Sequence, residues 1–88
     1  MQEIKNKIEV VLYMTGKFMT VEEIAEYVGV GSIGSVREAV NSLIQDYEKR
    51  NSGLSIYEEN KKYKLNIRKK YNHLSTKLGN ASELDGKK

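Results

Sequence analysis

The sequence predicts an α+β, mainly α fold: a winged helix-turn-helix with a two- to three-stranded wing sheet. Three observations lead there. Three helical apolar patterns follow one another between residues 2 and 50, each ended by residues that tolerate left-handed backbone. Residues 54–67 then alternate apolar and polar side chains about one short polar turn, as a hairpin does. Between the first two helices, "KFMT" reads as a brief extended link, the place of the short strand in such a fold.

The first helix is expected over residues 2–15, where Ile4, Ile8, Val11 and Leu12 fall on one side, and Gly16 ends it. Its last turns carry an excess. Val10 and Met14 widen the apolar arc to about 200°, with Tyr13 beyond it, more than one buried face requires. The second helix starts after Thr20, which has capping-box spacing to Glu23, and its inner stripe is Val21, Ile24, Ala25 and Val28. The third runs from Ile33 to Arg50, with Val36, Val40, Leu43, Ile44 and Tyr47 beside Ile33 on one stripe. Its cap is either Ser32 or Ser35, since Ser35 and Glu38 repeat the capping-box spacing.

In the hairpin, Leu54 and Ile56 share one face with Tyr63, Leu65 and Ile67, a pattern for a sheet buried on one side. The turn type is open, because Asn60 is the only turn residue that readily accepts positive φ. A last helix over about residues 68–78 presents Tyr71, Leu74 and Leu78 on one side and His73 on the other. Residues 1–78 are thus expected to form the domain, and 79–88 a mobile tail or the start of an interdomain linker.

Eighty-eight residues hide about 60–65 % of the unfolded surface, so stability is marginal and a partner or self-association is expected. There is no cysteine, hence no disulfide and no thiolate metal site. The longest apolar run, Val10–Met14, is too short for a membrane span and no secretory pattern precedes it, so a soluble intracellular protein is expected. The net charge of +3 is uneven: residues 1–53 carry six Lys/Arg against eight Asp/Glu, and residues 54–88 nine against four. The basic half could attract polyanions, though the surplus is modest for a nucleic-acid binder.

Enzymatic chemistry finds no foothold. His73 is the single histidine, the serines have no base, and Glu22–Glu23 and Glu58–Glu59 lack metal-ligand spacing. No catalytic residue, cofactor or metal is expected. The glycines of "GVGSIG" follow a helix rather than a strand, which removes the mechanism of a dinucleotide loop.

DNA reading is a weak second possibility. Arg37, Asn41 and Gln45 on the third helix could reach base edges, with Lys61, Lys62 and Lys64 of the wing on phosphate. Residues 33–50 carry three positive and three negative charges, however, and Glu38 adjoins Arg37. Counted from Ala25 and Gly29, Val36 also arrives one position later than in the usual helix-turn-helix, so the turn is lengthened. The wing lysines read somewhat more readily as a sheet edge guarded against aggregation than as phosphate contacts. Tyr57, turned outward beside them, is either an ordinary surface tyrosine or an interface anchor.

Two stretches, "IEVVLYMTGKFMTVEEIAEYVGV" and "VREAVNSLIQDYEKRNSGLSIYEENKKYKLNIRKKYNHLSTKL", together resemble the N-terminal winged-helix domain of the segregation and condensation protein B (ScpB) family, over about residues 4–78. The resemblance lies in the order and spacing of the parts: the apolar end of helix one before Gly16, "TVEEIAE" after a short link, and "DYEKRNSGLSIYE" leading to "IRKKY". It implies a non-enzymatic accessory subunit of an SMC–kleisin complex for chromosome condensation and segregation, cytoplasmic and nucleoid-associated. Such a module pairs with itself and clasps the kleisin ScpA, and through it SMC; DNA contact is at most weak and non-specific. Two departures stand out. The family's wing turn often carries glycine where this chain has Asn60-Lys61, and a second winged-helix domain is implied where this chain stops in a polar tail. The chain is therefore expected to be either one part of a longer protein, lacking part of the kleisin site, or a shortened form.

Together these readings make Val10, Tyr13 and Met14 the candidate dimer interface, and Tyr57, Lys62 and Lys64 the candidate partner site. Arg37, Asn41, Gln45 and Lys61 belong to the alternative DNA reading.

Overall fold

The computed structural model describes residues 1–29, 31–74 and 77. Three helices come first, α1 (Gln2–Thr15), α2 (Val21–Val28) and α3 (Ile33–Arg50), with a two-residue strand β1 (Met19–Thr20) ahead of α2. Strands β2 (Leu54–Glu59) and β3 (Lys62–Ile67) follow, then a 3-10 turn at Lys69–Tyr71. The sheet has the order β1-β3-β2, antiparallel throughout, so the long strand β3 is central. This is the three-helix, three-strand winged arrangement that the sequence predicts.

Local chemistry accounts for the boundaries. Gly16 closes α1 at φ 63°, its N–H donating to the Leu12 carbonyl at 3.1 Å. The Thr20 side chain accepts from the Glu23 N–H while Glu23 accepts from the Thr20 N–H, at 3.1 and 3.0 Å. At α3 the structure selects Ser32 as cap, its hydroxyl accepting from the Ser35 N–H at 3.2 Å.

All three helices turn their stripes to one core. Ile8 and Leu12 of α1, Ile24 and Val28 of α2, and Val36, Val40, Leu43 and Tyr47 of α3 are buried, with Met19, Ile56 and Tyr63 closing the core from the sheet. Burying one such side chain contributes about 1.5–3 kcal/mol, so this cluster outweighs any single polar contact in the domain.

Three expectations about the wing and its sequel need correction. Leu54 lies on the same face as Ile56 but is not buried there; it is 37 % exposed at the start of β2. Ser55 and Ile56 are both buried, and because neighbours in a strand point to opposite faces, β2 is covered on both sides there. The last helix does not run unbroken from residue 68. The 3-10 turn comes first, residues 72–74 are helical, and Leu78 and the tail 79–88 lie outside the described residues. The hairpin turn itself is settled. Glu59 pairs with Lys62, and Asn60 and Lys61 between them have φ of 51° and 62°, the two-residue type I′ geometry that suits twisted strands.

Candidate interaction surfaces

Helix α1 positions the candidate self-contact. Its inner residues are held by the core and by two polar ties to α3. Lys5 pairs with Asp46 at 2.5 Å, and the Tyr47 hydroxyl donates to the Glu9 carboxylate. Fixed in rotation, the helix presents Val10, Tyr13 and Met14 on its outer side, 52, 74 and 75 % exposed. Shallow apolar grooves flank them. One lies between α1 and α2, floored by Val10, Val11 and Val28 with Tyr27 on its rim. The other lies between α1 and the wing, where Val10 and Tyr13 meet Tyr47, Leu54 and Leu65. Tyr27, 68 % exposed, therefore extends the same apolar band, and it escaped sequence reading. It stands outside the inner stripe of α2, and only the packing of α1 beside α2 brings it next to Val10.

The outer face of the sheet positions the candidate partner residues. Tyr57 and Lys64 are directly opposite in the β2–β3 register, and Lys62 faces Glu59 at the tip. Tyr57 is less free than its outward position implies. It is half-buried, and its hydroxyl donates to the Ile67 carbonyl at 2.8 Å, which lays the ring across the sheet. Phe18, just before β1, completes this row, with the Lys64 ammonium 5.6 Å from its ring centroid. No sequence signal marks Phe18, because a two-residue strand has no alternation to read. Lys62 is exposed at the wing tip and does not line the groove that Phe18, Tyr57 and Lys64 share.

Arg37, Asn41 and Gln45 are exposed on α3. Arg37, Asn41 and Lys61 come together in the cleft between α3 and the wing, and Gln45 is not among its lining residues. Glu22 and Glu58 line the same cleft, so two carboxylates stand beside the two cations. Nor is the basic run after the wing a uniform cationic ridge. Arg68 is turned inward, with Nε donating to the Ser52 carbonyl at 2.5 Å and Nη2 to the Tyr47 carbonyl at 2.6 Å. Its guanidinium ties the end of β3 to the end of α3.

Titration follows burial and partners. The Lys5 hydrogen bond holds the Asp46 carboxyl below its ordinary value, while burial and then the Glu9 hydrogen bond push the Tyr47 hydroxyl up. Among the described residues no group of three or more His, Cys, Asp or Glu is placed to hold a metal ion, and no helix is long and apolar enough to cross a membrane.

A family model described as segregation and condensation complex subunit ScpB matches residues 6–86. No curated protein matches in sequence. Among solved structures, a dimer of an ScpB N-terminal domain complexed with an ScpA peptide is similar at TM-score 0.76 and 22 % identity, over 88 % of this chain and 95 % of that one. ScpB from Mycobacterium tuberculosis is similar at TM-score 0.79 and 18 % identity, over 99 % of this chain and 51 % of that one. A conserved hypothetical protein from Chlorobium tepidum follows at TM-score 0.70 and 17 % identity, over 88 % and 48 %. The chain thus spans about half the length of the latter two.

Proposed function

This chain belongs to the segregation and condensation complex subunit ScpB family, and from that premise we propose that it is a non-enzymatic accessory module of an SMC–kleisin complex. It pairs with a second copy of itself and binds the kleisin ScpA, in the cytoplasm at the nucleoid. The similar ScpB N-terminal domain, a dimer holding an ScpA peptide, supports both contacts.

The observation that carries self-association is the apolar outer side of α1. Val10, Tyr13 and Met14 are contiguous and exposed after the fold has closed, and contiguous exposed apolar surface marks contact sites. Self-contact is assigned to these three residues, and kleisin contact to Tyr57 and Lys64, with Lys62 at the edge. DNA contact is given at most a weak, non-specific part, because the cleft between α3 and the wing mixes Glu22 and Glu58 with Arg37 and Lys61.

Sedimentation of the chain alone and with its cognate ScpA tests the proposal. A dimer at micromolar concentration that shifts to a heavier species with ScpA is expected. A strict monomer that ignores ScpA, yet binds one duplex DNA sequence tightly at physiological salt, would overturn it.

A further inference from the structure

We propose that Met14 is an oxidation site through which peroxide weakens the pairing of two copies of this chain. The inference rests on the self-association reading above and adds a chemical control to it.

Sulfur chemistry in this chain is confined to thioethers, since it holds three methionines and no cysteine. No thiolate is present to intercept a two-electron oxidant first. The three methionines sit in contrasting places. Met19 is 1 % exposed in the core, and its sulfur accepts the Thr15 hydroxyl at 3.2 Å, so the sulfur is enclosed and one of its electron pairs engaged. Met1 is 61 % exposed ahead of α1. Met14 is 75 % exposed in the last turn of α1, and of the three it alone stands in the apolar band. Helical rise separates Met1 from Met14 by about 20 Å, so one can be altered without touching the other.

The position makes the chemistry consequential. Val10 lies four residues before Met14, and side chains at that spacing are neighbours along one side of a helix. Val10 in turn floors the groove toward α2 and joins Tyr13 in the groove beside the wing. In the reaction a lone pair of the Met14 sulfur attacks one oxygen of hydrogen peroxide. The S–O bond forms as the O–O bond breaks, the sulfur loses two electrons, and the peroxide is reduced to water. The product is a sulfoxide, polar where the thioether was apolar. Burying that group against an apolar surface costs it its hydration. A twofold contact carries the cost twice, once from each copy. In the closed pair Met14 is covered, so the oxidant reaches it in the separated copies and holds them apart.

The test treats the full chain with hydrogen peroxide, follows each methionine by peptide mass spectrometry and measures pairing by sedimentation equilibrium. Met14 and Met1 are expected to oxidise while Met19 stays intact, and the dimer constant to weaken by about ten-fold or more. Met14 should oxidise more slowly at protein concentrations above the dimer constant than below it; Met1 should not. Methionine sulfoxide reductases A and B, with dithiothreitol as electron donor, should restore pairing, the oxygen leaving as water and the dithiothreitol becoming a disulfide. Met14→Leu is expected to pair as wild type does and to keep pairing after peroxide, although its Met1 is still oxidised. Undiminished pairing of chains fully oxidised at Met14 would overturn the proposal and leave self-association standing. So would loss of pairing in oxidised Met14→Leu, or oxidation of Met19 as fast as Met14, which would make the core the target. A wild type that stays monomeric at every concentration would remove both readings.

Discussion

Lys5 of α1 and Asp46 of α3 form a 2.5 Å ion pair in which the lysine is almost wholly enclosed and the carboxylate stays partly open to solvent. The pair spans the same helix interface as the Tyr47–Glu9 hydrogen bond. Between them they fix the rotation of α1 and so decide which of its apolar residues face outward.

That pair makes stability pH-dependent in a defined direction. Asp46 is held below its ordinary carboxyl value, so the folded state binds its proton less readily than the unfolded chain. The contribution is complete above about pH 4 and is lost as pH falls through the folded value. Lys5→Met removes the partner that sustains this contribution and is expected to lower stability at pH 7. The decline of Tm between about pH 4 and pH 2 should become shallower. Thermal unfolding across that range measures both, and an unaltered acid limb would place the pH dependence elsewhere.

Tyr47 governs the opposite limb. Burial first, then the Glu9 hydrogen bond, raises its hydroxyl, and burial followed by the Glu58 charge raises that of Tyr63. A raised folded value means stability intact below about pH 10 and lost as pH climbs through the folded values. Tyr47→Phe is expected to cost about 1 kcal/mol at neutral pH through the lost hydrogen bond. It should also flatten the alkaline decline without abolishing it, since Tyr63 remains. Urea unfolding at pH 7 and above pH 10 separates the two effects.

Arg68 is a clamp rather than part of a cationic surface. Its two side-chain donors reach the Ser52 and Tyr47 carbonyls, and its own N–H donates to the Gly53 carbonyl at 2.8 Å. A lysine cannot span both carbonyls with the planar fork that arginine supplies. Arg68→Lys is expected to lose about 1–3 kcal/mol despite the conserved charge. Hydrogen exchange of the amides at residues 53 and 54 should quicken if the junction loosens; protection equal to wild type would refute the clamp.

The wing turn leaves stability unclaimed. Asn60 tolerates left-handed backbone, but Lys61 at φ 62° carries a Cβ where type I′ turns favour glycine. Lys61→Gly is expected to raise stability by about 0.5–1 kcal/mol, the relief of strain exceeding the entropy that glycine adds to the unfolded chain. A denaturation midpoint that falls instead would show that Lys61 makes contacts worth more than its backbone strain.

What was legible in the sequence is what local chemistry decides. The bounds of α1 and α3, the Thr20–Glu23 box and the hairpin follow from periodicity and caps within a few residues of each other. The choice between Ser32 and Ser35 needed coordinates, since both spacings are locally sound. Tyr27, Phe18 and Arg68 were not legible for a different reason. Each acquires its role from residues distant in the chain: Tyr27 from α1, Phe18 from Lys64, and Arg68 from carbonyls 16 and 21 positions earlier. Leu54 misled because alternation assigns a face but not the length over which that face is covered.

The outer side of α1 supplies the most decisive prediction. Tyr13 and Met14 are three-quarters exposed and lie outside the core cluster, so charging them should leave the fold intact. In a twofold contact each substitution is counted twice, once from either subunit, and both new charges meet across the axis. Tyr13→Asp is therefore expected to weaken self-association by about 100-fold or more, with little change in Tm beyond that due to the lost dimer. Tyr27→Asp, at the rim of the same band, should weaken it by about ten-fold. Sedimentation equilibrium over a concentration series reads both constants. Dimers of undiminished affinity in Tyr13→Asp would mean that the copies meet through another face, and the exposed apolar residues of α1 would then need a different partner.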